Sequence, residues 1–240
     1  MASINKRWGT QMPSIIAGRL NDLPFELRER LGAFRYDVFV RRLGWPLPDI
    51  KENETIEWDQ FDGDNTVQIA ALTSQQQVCG CARLMPTTYP YLLQELFPRT
   101  PEFDLPSSPT VWELSRFAGS GMQLFPCVMA VAASLGATRI IGVVTHAIAR
   151  LYRRFGLDLQ RVGPDHASAS SSFLICAIDL TPVTFANLGS DLESLQSSIT
   201  WHQSCTPSGR YLMRPVPGNA HCATERQQIP SDGTVAIRQS

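Results

Sequence analysis

The stretch from residue 123 to residue 157 constrains this chain more than any other. It opens with "QLFPCVMAVAASLGA", apolar at almost every position and long enough for a buried helix that stops near Gly136. "TRIIGVVT" follows, a short β-branched run typical of a strand covered on both faces. "HAIARLYRRFGL" then sets apolar residues at helical intervals between arginines, with Gly156 in C-terminal position. A strand buried on both faces and flanked by helices belongs to an α/β sheet.

The remaining segments fit around that unit. "DLPFELRERLGAFRYDVFVRRLGW" spaces Leu23, Leu27, Leu31, Phe34 and Val38 along one helical face, with Asp22 as the expected N-cap and Gly44 as the expected stop. "TVQIAALTS" and "QVCGCARLMP" read as an antiparallel hairpin, "YPYLLQELFP" as a short helix and "PTVWELSRFAG" as a third strand. "SSFLICAIDL" is a final strand, and "TPVTFANLG" a capped short helix. This order gives an open sheet of mixed direction with helices on both faces and a crossover after the strand of the 110s. Beyond Gly189, Ser, Gln, Pro and Gly dominate without sustained periodicity. The expected division is a domain of residues 1–189 and a poorly ordered tail of residues 190–240. The alternative is a small appended module anchored by Trp201 and Tyr211.

Composition excludes several classes of function. Apolar residues at 43% and charged residues at 18% are those of a soluble globular protein. A formal net charge of −1 gives no global case for nucleic acid or an acidic membrane surface, so charged partners must be read from local patches. No apolar run reaches about 18 residues, and the N-terminal twenty residues lack the apolar core of a signal peptide. A cytoplasmic protein without a membrane span is expected. The six cysteines form no CxxC pair; Cys79 and Cys81 lie in a strand-like run, where both would face the same side as packing residues of a reducing compartment. With four scattered histidines, no metal site is expected.

Two stretches carry chemistry. "IEWDQFDGDN" gathers Glu57, Asp59, Asp62 and Asp64, with Trp58 and Phe61 among them and Trp45 upstream. Such a loop is either a solvated acidic face or an anionic pocket with aromatic walls for a cationic ligand. It is no EF-hand, because the acids are misspaced and no acid stands where the closing one belongs. In "VWELSRFAGSG", a regular strand puts Glu113 and Ser115 on one face and Arg116 on the other. Ser115 has no neighbouring histidine and no nucleophile-elbow context, which favours direct transfer over an acyl-serine.

Taken in order, these positions form a series: Arg35, Phe39 and Trp45 in "RYDVFVRRLGW", Asp59 and Asp62 in "EWDQFDGDNT", Arg83 in "CARLMPT", Phe97 in "ELFP", and Glu113, Ser115 and Arg116 in "WELSRF". The series resembles the hallmark positions of the acyl-homoserine-lactone synthases, the LuxI-type autoinducer synthases, over roughly residues 12–188. Single matches are common; ten in order with compatible gaps are specific. The resemblance implies a GNAT-like fold, an αβα sandwich whose mixed central sheet splays apart to admit an acyl thioester. It also implies a two-substrate reaction. The amine of S-adenosylmethionine attacks an acyl thioester on acyl carrier protein, and the methionine carboxylate then closes on its own γ-carbon, expelling methylthioadenosine. No cofactor is implied, because S-adenosylmethionine is a substrate.

The resemblance also assigns roles. Arg35, Phe39, Trp45, Asp59, Asp62 and Arg83 form the implied S-adenosylmethionine set, in which each arginine suits a substrate carboxylate or an Asp partner equally. Glu113, Ser115 and Arg116 form the implied catalytic set. Glu113 is a general base or water relay, or else the structural partner of a buried arginine such as Arg83. Phe97, Met129, Gly142 and Val144 are the implied acyl pocket. Gly142 aligns where threonine often accompanies 3-oxo chains, which points to an unsubstituted chain. An acidic carrier protein needs a basic patch, and Arg150, Arg153 and Arg154 offer one, with Arg161, Lys6 and Arg7 as contributors. The chain departs from the family after "SRF", where "GSGMQLFP" replaces a longer connection. Those letters also spell the Arg116-x-x-Gly119-x-Gly121 pyrophosphate turn of CoA-dependent N-acetyltransferases, the main rival reading. An inactive synthase relic is the other.

Overall fold

The computed structural model describes residues 13–45, 55–97, 104–119, 121–162 and 173–202. Strand β1 (Ser14–Gly18) leads through a short 3-10 turn into α1 (Phe25–Arg35), which continues as a π-helix, Tyr36–Arg42. The hairpin β2 (Val67–Leu72) and β3 (Val78–Pro86), helix α2 (Leu92–Leu96) and strand β4 (Val111–Gly119) follow. Next come α3 (Gly121–Ser134), β5 (Arg139–Thr145), α4 (His146–Arg154), β6 (Gln160–Arg161) and β7 (Phe173–Asp179). Helices α5 (Pro182–Asn187) and α6 (Leu192–Ser198) precede the last described strand, β8 (Ile199–Trp201). The strands form one mixed sheet in the order β6-β7-β5-β4-β3-β2-β1-β8.

Each face of the sheet is covered by the residues its strands point outward. Ile69, Ala71, Ala82, Leu84 and Ile140 face α3, where Leu124, Phe125, Val128 and Met129 are fully buried. On the opposite face, β3 presents Cys81, Arg83 and Met85 in alternation. Cys81 packs with Leu27, Leu31 and Phe39 of the first helix, and Met85 with Tyr91 and Leu93 around α2. Arg83 therefore falls at the seam between two apolar clusters, where Ser115, Asp59 and Asp62 accept from it.

Strands β4 and β5 run parallel but pair over only three residues, from Val111–Arg139 to Glu113–Ile141. Beyond that point β4 stays with β3 as far as Gly119, while β5 stays with β7 as far as Thr145. The sheet is thus split, with Glu113 at the apex of the opening. Among the described residues no helix is long and apolar enough to cross a membrane.

Four sequence expectations need correction. Helix α1 starts at Phe25 with Pro24 in the N-cap position, and Asp22 belongs to the preceding 3-10 turn. Proline's fixed φ suits a helix entrance, which explains the displaced start. Cys79 and Cys81 do not share a face, because a register shift between Ala71 and Leu72 places the extra residue in β3. Cys79 packs on the α3 side and Cys81 on the α1 side. The boundary at residue 189 falls inside the fold: α6 packs on α3, with Gln196 donating to Ser134 Oγ at 2.9 Å, and β8 pairs in parallel with β1. Trp201 anchors that strand on the core, while Tyr211 lies outside the described residues. The remaining surprise is β4 itself, which is not regular.

Candidate active site

Strand β4 carries a bulge where the site is built. Arg83 pairs with Ser115 and Cys81 with Ala118, so β4 spends one residue more than β3 between those rungs. Arg116 absorbs the extra residue with φ +50, a conformation uncommon for a side chain larger than glycine. The consequence reverses the parity expectation: Arg116 shares Asp59 with Arg83 and adds Glu57, on the face of Glu113 and Ser115.

Three arginines and three carboxylates meet there. Arg35 donates through Nε to Glu57, and through Nη1 and Nη2 to both oxygens of Asp62 at 2.9 Å. Arg83 donates through Nη1 to Asp59 and to Asp62, the latter at 3.1 Å, and through Nε to Ser115 Oγ at 2.9 Å. Arg116 holds the other oxygen of Glu57 with Nε and Nη2, and Asp59 at 2.7 Å. Arg35, Arg83 and Glu57 are fully buried. Isolated charges at such depth cost several kcal/mol each, so only mutual pairing with multiple hydrogen bonds makes the cluster tolerable. Gln68 completes it, donating to Asp62 at 2.8 Å and accepting from Arg35 at 3.2 Å.

Aromatic rings close over the cations. Arg35 lies over Trp58 at 4.6 Å and Arg83 over Phe61 at 5.7 Å. Arg116 lies over both Phe39 and Trp45, which stack on each other with centroids 4.9 Å apart. The π-helix places Phe39 in that sandwich. Glu57, Asp59 and Asp62 are therefore no solvated face and are neutralised from within the protein, whereas Asp64 is exposed and accepts from Asn21 at 3.0 Å. The oxygens of Glu57, Asp59 and Asp62 also lie within 4.8 Å of one another, a spacing compatible with a metal ion, yet the arginines already occupy the cation's role.

The electrostatics separate Glu113 from the other acids. Burial pushes the Glu57 and Asp62 carboxyls upward, but the charges and hydrogen bonds of Arg35, with Arg116 for Glu57 and Arg83 for Asp62, hold both below the usual carboxylate range. Burial also opposes charge on Arg35, and Asp62 and Glu57 together raise it nonetheless. Glu113 is 2% exposed and has no arginine hydrogen-bonded to it. Burial raises it to about 7, against the pull of the Leu93 and Leu92 amides and the more distant Arg83 charge. Its Oε2 accepts from the Leu93 amide at 3.2 Å. The ion pair with Arg83 weighed from sequence is absent, and a carboxyl poised near neutrality stands in its place.

The other expected residues divide. Met129 and Val144 belong to the core on the α3 face, whereas Phe97 packs on the opposite face near α2. Gly142 lies just past the apex, where an added Cβ would sit 3.0 Å from the Leu114 carbonyl oxygen. The structure does not gather these four into one wall. Arg150, Arg153 and Arg154 are all exposed on α4, whose inner side is Ala149 and Tyr152. Arg150 and Arg154 border a cavity of about 280 Å³ with Ala147 and Leu151. Arg161 is exposed, and Lys6 and Arg7 lie outside the described residues. For the pyrophosphate-turn reading, Arg116 is committed to carboxylates, and Gly119 takes φ +87 where an added Cβ would meet the Cys79 carbonyl at 2.2 Å. Packing against β3 accounts for that glycine.

Sequence reasoning passed over Gln68 and underweighted Glu57. The signal for Gln68 was present: it is the single polar side chain inside "VQIAAL", a strand buried at every position.

A mixed αβα sandwich split between two parallel strands, with a buried carboxylate at the apex, defines a GNAT-like acyltransferase fold. A profile of the autoinducer synthase family matches residues 25–186. The chain belongs to that family, whose members make quorum-sensing signals, and it is an acyltransferase of the acyl-homoserine-lactone synthase type. An acyl-homoserine-lactone synthase of Ralstonia solanacearum is 40% identical over 183 residues, spanning 70% of this chain and 89% of that protein. One from Pseudomonas aeruginosa is 39% identical over 160 residues, 64% and 79% of the two chains. The solved structure of TofI, in a ternary complex with an inhibitor and MTA, is 38% identical with a TM-score of 0.65 and covers 76% of this chain and 99% of its own.

Proposed function

We propose that this synthase joins an acyl group from acyl carrier protein to the amine of S-adenosylmethionine and then closes the lactone, releasing methylthioadenosine. The observation that carries the reading is Glu113, a buried carboxyl held near neutrality at the apex of the split sheet. An amine nucleophile must shed a proton, and a base with a value near the working pH accepts and returns it efficiently. The MTA bound to TofI is in keeping with S-adenosylmethionine as the second substrate. Asp59, at the partly exposed edge of the network, with the half-buried Trp45 nearby in the same cluster of rings and arginines, is the acid an incoming ammonium would meet first. Arg35 serves that network from beneath, as a partner of Asp62.

Carrier protein is the donor this reading favours, since Arg150, Arg153 and Arg154 project together from α4 and a carrier protein is acidic. Gly142 brings no hydroxyl to the split, so the acyl chain is taken as unsubstituted at its third carbon. The protein needs no cofactor in this scheme.

The test is incubation with S-adenosylmethionine and octanoyl carrier protein, followed by mass spectrometry across several chain lengths. Acyl-homoserine lactone together with methylthioadenosine is the expected outcome. Absence of both products at every chain length would sink the reading, and turnover only with the CoA thioester would reassign the donor.

A further inference from the structure

Among the described residues, one buried polar atom of the network has no hydrogen-bond partner. Arg83 Nη2 is buried and makes no hydrogen bond, although Nη1 and Nε of the same guanidinium are engaged. A buried charged group with an unmade hydrogen bond loses free energy that a packed core normally recovers, so such an atom calls for a partner that arrives later. The guanidinium is planar, and its Nε and Nη2 hydrogens emerge from the same edge as a parallel fork. Nε on that edge donates to Ser115 Oγ, so Nη2 faces the neighbourhood of the same hydroxyl. Because Ser115 accepts from Arg83, its own proton is left to donate elsewhere. Ser115 is only partly buried, which leaves an approach on its side.

Charge balance indicates what kind of oxygen belongs there. Three arginines already face three carboxylates, so the cluster is formally neutral. A neutral acceptor that becomes negative only as the reaction proceeds gains more from these donors in the transition state than at rest. Glu113, two residues before Ser115 on the same face, is near enough for the Arg83 charge to act on it.

We propose that Arg83 Nη2 and the Ser115 hydroxyl together form the donor site for the carbonyl oxygen of the acyl thioester. The assignment rests on the acyl-transfer reading above and moves Arg83 from the S-adenosylmethionine set to the acyl donor. The neutral amine's lone pair forms the N–C bond, and the carbonyl π pair moves onto the oxygen between the two donors. The proton of the new N–H⁺ passes to Glu113. Collapse reforms C=O, the C–S pair leaves on sulfur, and the Glu113 proton completes the thiol.

The test compares wild type with Arg83→Lys, Ser115→Ala and Ser115→Thr in single-turnover amide formation, alongside calorimetric binding of S-adenosylmethionine. Arg83→Lys keeps a charge beside Asp59 and Asp62 but removes Nη2. It should slow amide formation by about 10²–10³-fold, with carrier-protein KM and S-adenosylmethionine Kd within about threefold. Ser115→Ala should slow it by about tenfold, and Ser115→Thr should restore most of that loss. If Arg83→Lys does not fold, the Ser115 pair decides alone, since removing one half-buried hydroxyl leaves the ion pairs in place. Losses appearing in S-adenosylmethionine affinity with unchanged kcat would overturn the proposal, as would Ser115→Ala within threefold of wild type. Wild-type protein that forms no acylated product would overturn the acyl-transfer reading and this proposal with it, whereas active wild type with indifferent variants would overturn this proposal alone.

Discussion

Arg116 grips Glu57 with two nitrogens, Nε at 3.0 Å and Nη2 at 2.9 Å, across 59 residues of chain. Arg35 holds the other oxygen of the same carboxylate, so Glu57 is the joint between the first helix and the central strand. The loop of residues 55–66 is thereby pinned under the sheet from both sides.

Removing that joint should cost the fold more than the chemistry. Glu57→Gln leaves two buried guanidinium groups short of a counter-charge, a change that typically costs about 3–5 kcal/mol. Urea unfolding should show a lower midpoint with an unchanged slope. A midpoint equal to wild type would mean that the network contributes nothing net.

Acid should act on the same cluster. Glu57 and Asp62 have folded values below their unfolded ones, so their stabilisation is present above the unfolded carboxylate range and is lost as pH falls through the folded values. Glu113 has the opposite sign: raised to about 7, it binds a proton in the folded state that the unfolded state releases from about 4.5 upward. Stability contributed by this group is therefore lost as pH rises from roughly 4.5 to 7, by on the order of 3 kcal/mol. Glu113→Gln should flatten that slope in melting temperature against pH, retain S-adenosylmethionine binding and abolish amide formation. In wild type the amide-forming rate should rise with pH through about 7. Near-normal turnover in the glutamine variant would remove Glu113 as the base.

Two glycines with positive φ should respond differently to alanine. At Gly119 the new Cβ would meet the Cys79 carbonyl at 2.2 Å and the Gly80 Cα at 2.4 Å, and neither backbone atom can yield cheaply. At Gly136 nothing lies within 4 Å, so only the φ of +84 is penalised. Gly136→Ala should cost about 1 kcal/mol and Gly119→Ala clearly more, read from chemical denaturation of the pair. Equal effects would refute the close approach of β3 and β4.

Charge reversal at Arg153 and Arg154 addresses docking. Both side chains are exposed and bear little on the core, so melting should change little. The KM for acylated carrier protein should rise about tenfold or more at low salt, and less at high salt, with kcat nearly constant. An unchanged KM would place the docking surface elsewhere.

Deleting everything after Gly189 should lower the melting temperature by several degrees, because β1 loses its parallel partner β8 and α3 loses α6. A truncated chain as stable as the full one would show that these elements merely rest on the domain.

Long apolar runs made α3, β5, β7 and the β2–β3 hairpin legible, because a segment buried on one or both faces leaves its period in the letters. Strand β1 has only five residues, and α6 with β8 hides within serine and glutamine, so neither stretch carried enough apolar pattern to be read. The candidate site was half legible. Its residue types and order were in the sequence, and Gln68 betrayed itself as a polar letter in a buried strand.

The sequence by itself determined which charged groups exist and which elements carry them. Only the tertiary structure decided who pairs with whom. A single bulge at Arg116, with φ +50, turns that side chain onto the face of Glu113 and Ser115, and a positive φ at a non-glycine residue leaves no mark in the letters. Once Arg116 joins Arg35 and Arg83, three arginines saturate Glu57, Asp59 and Asp62, and Glu113 is left as the buried acid without a guanidinium bonded to it. Its proton affinity follows from that exclusion, because burial without a bonded counter-charge is what lifts a carboxyl toward neutrality.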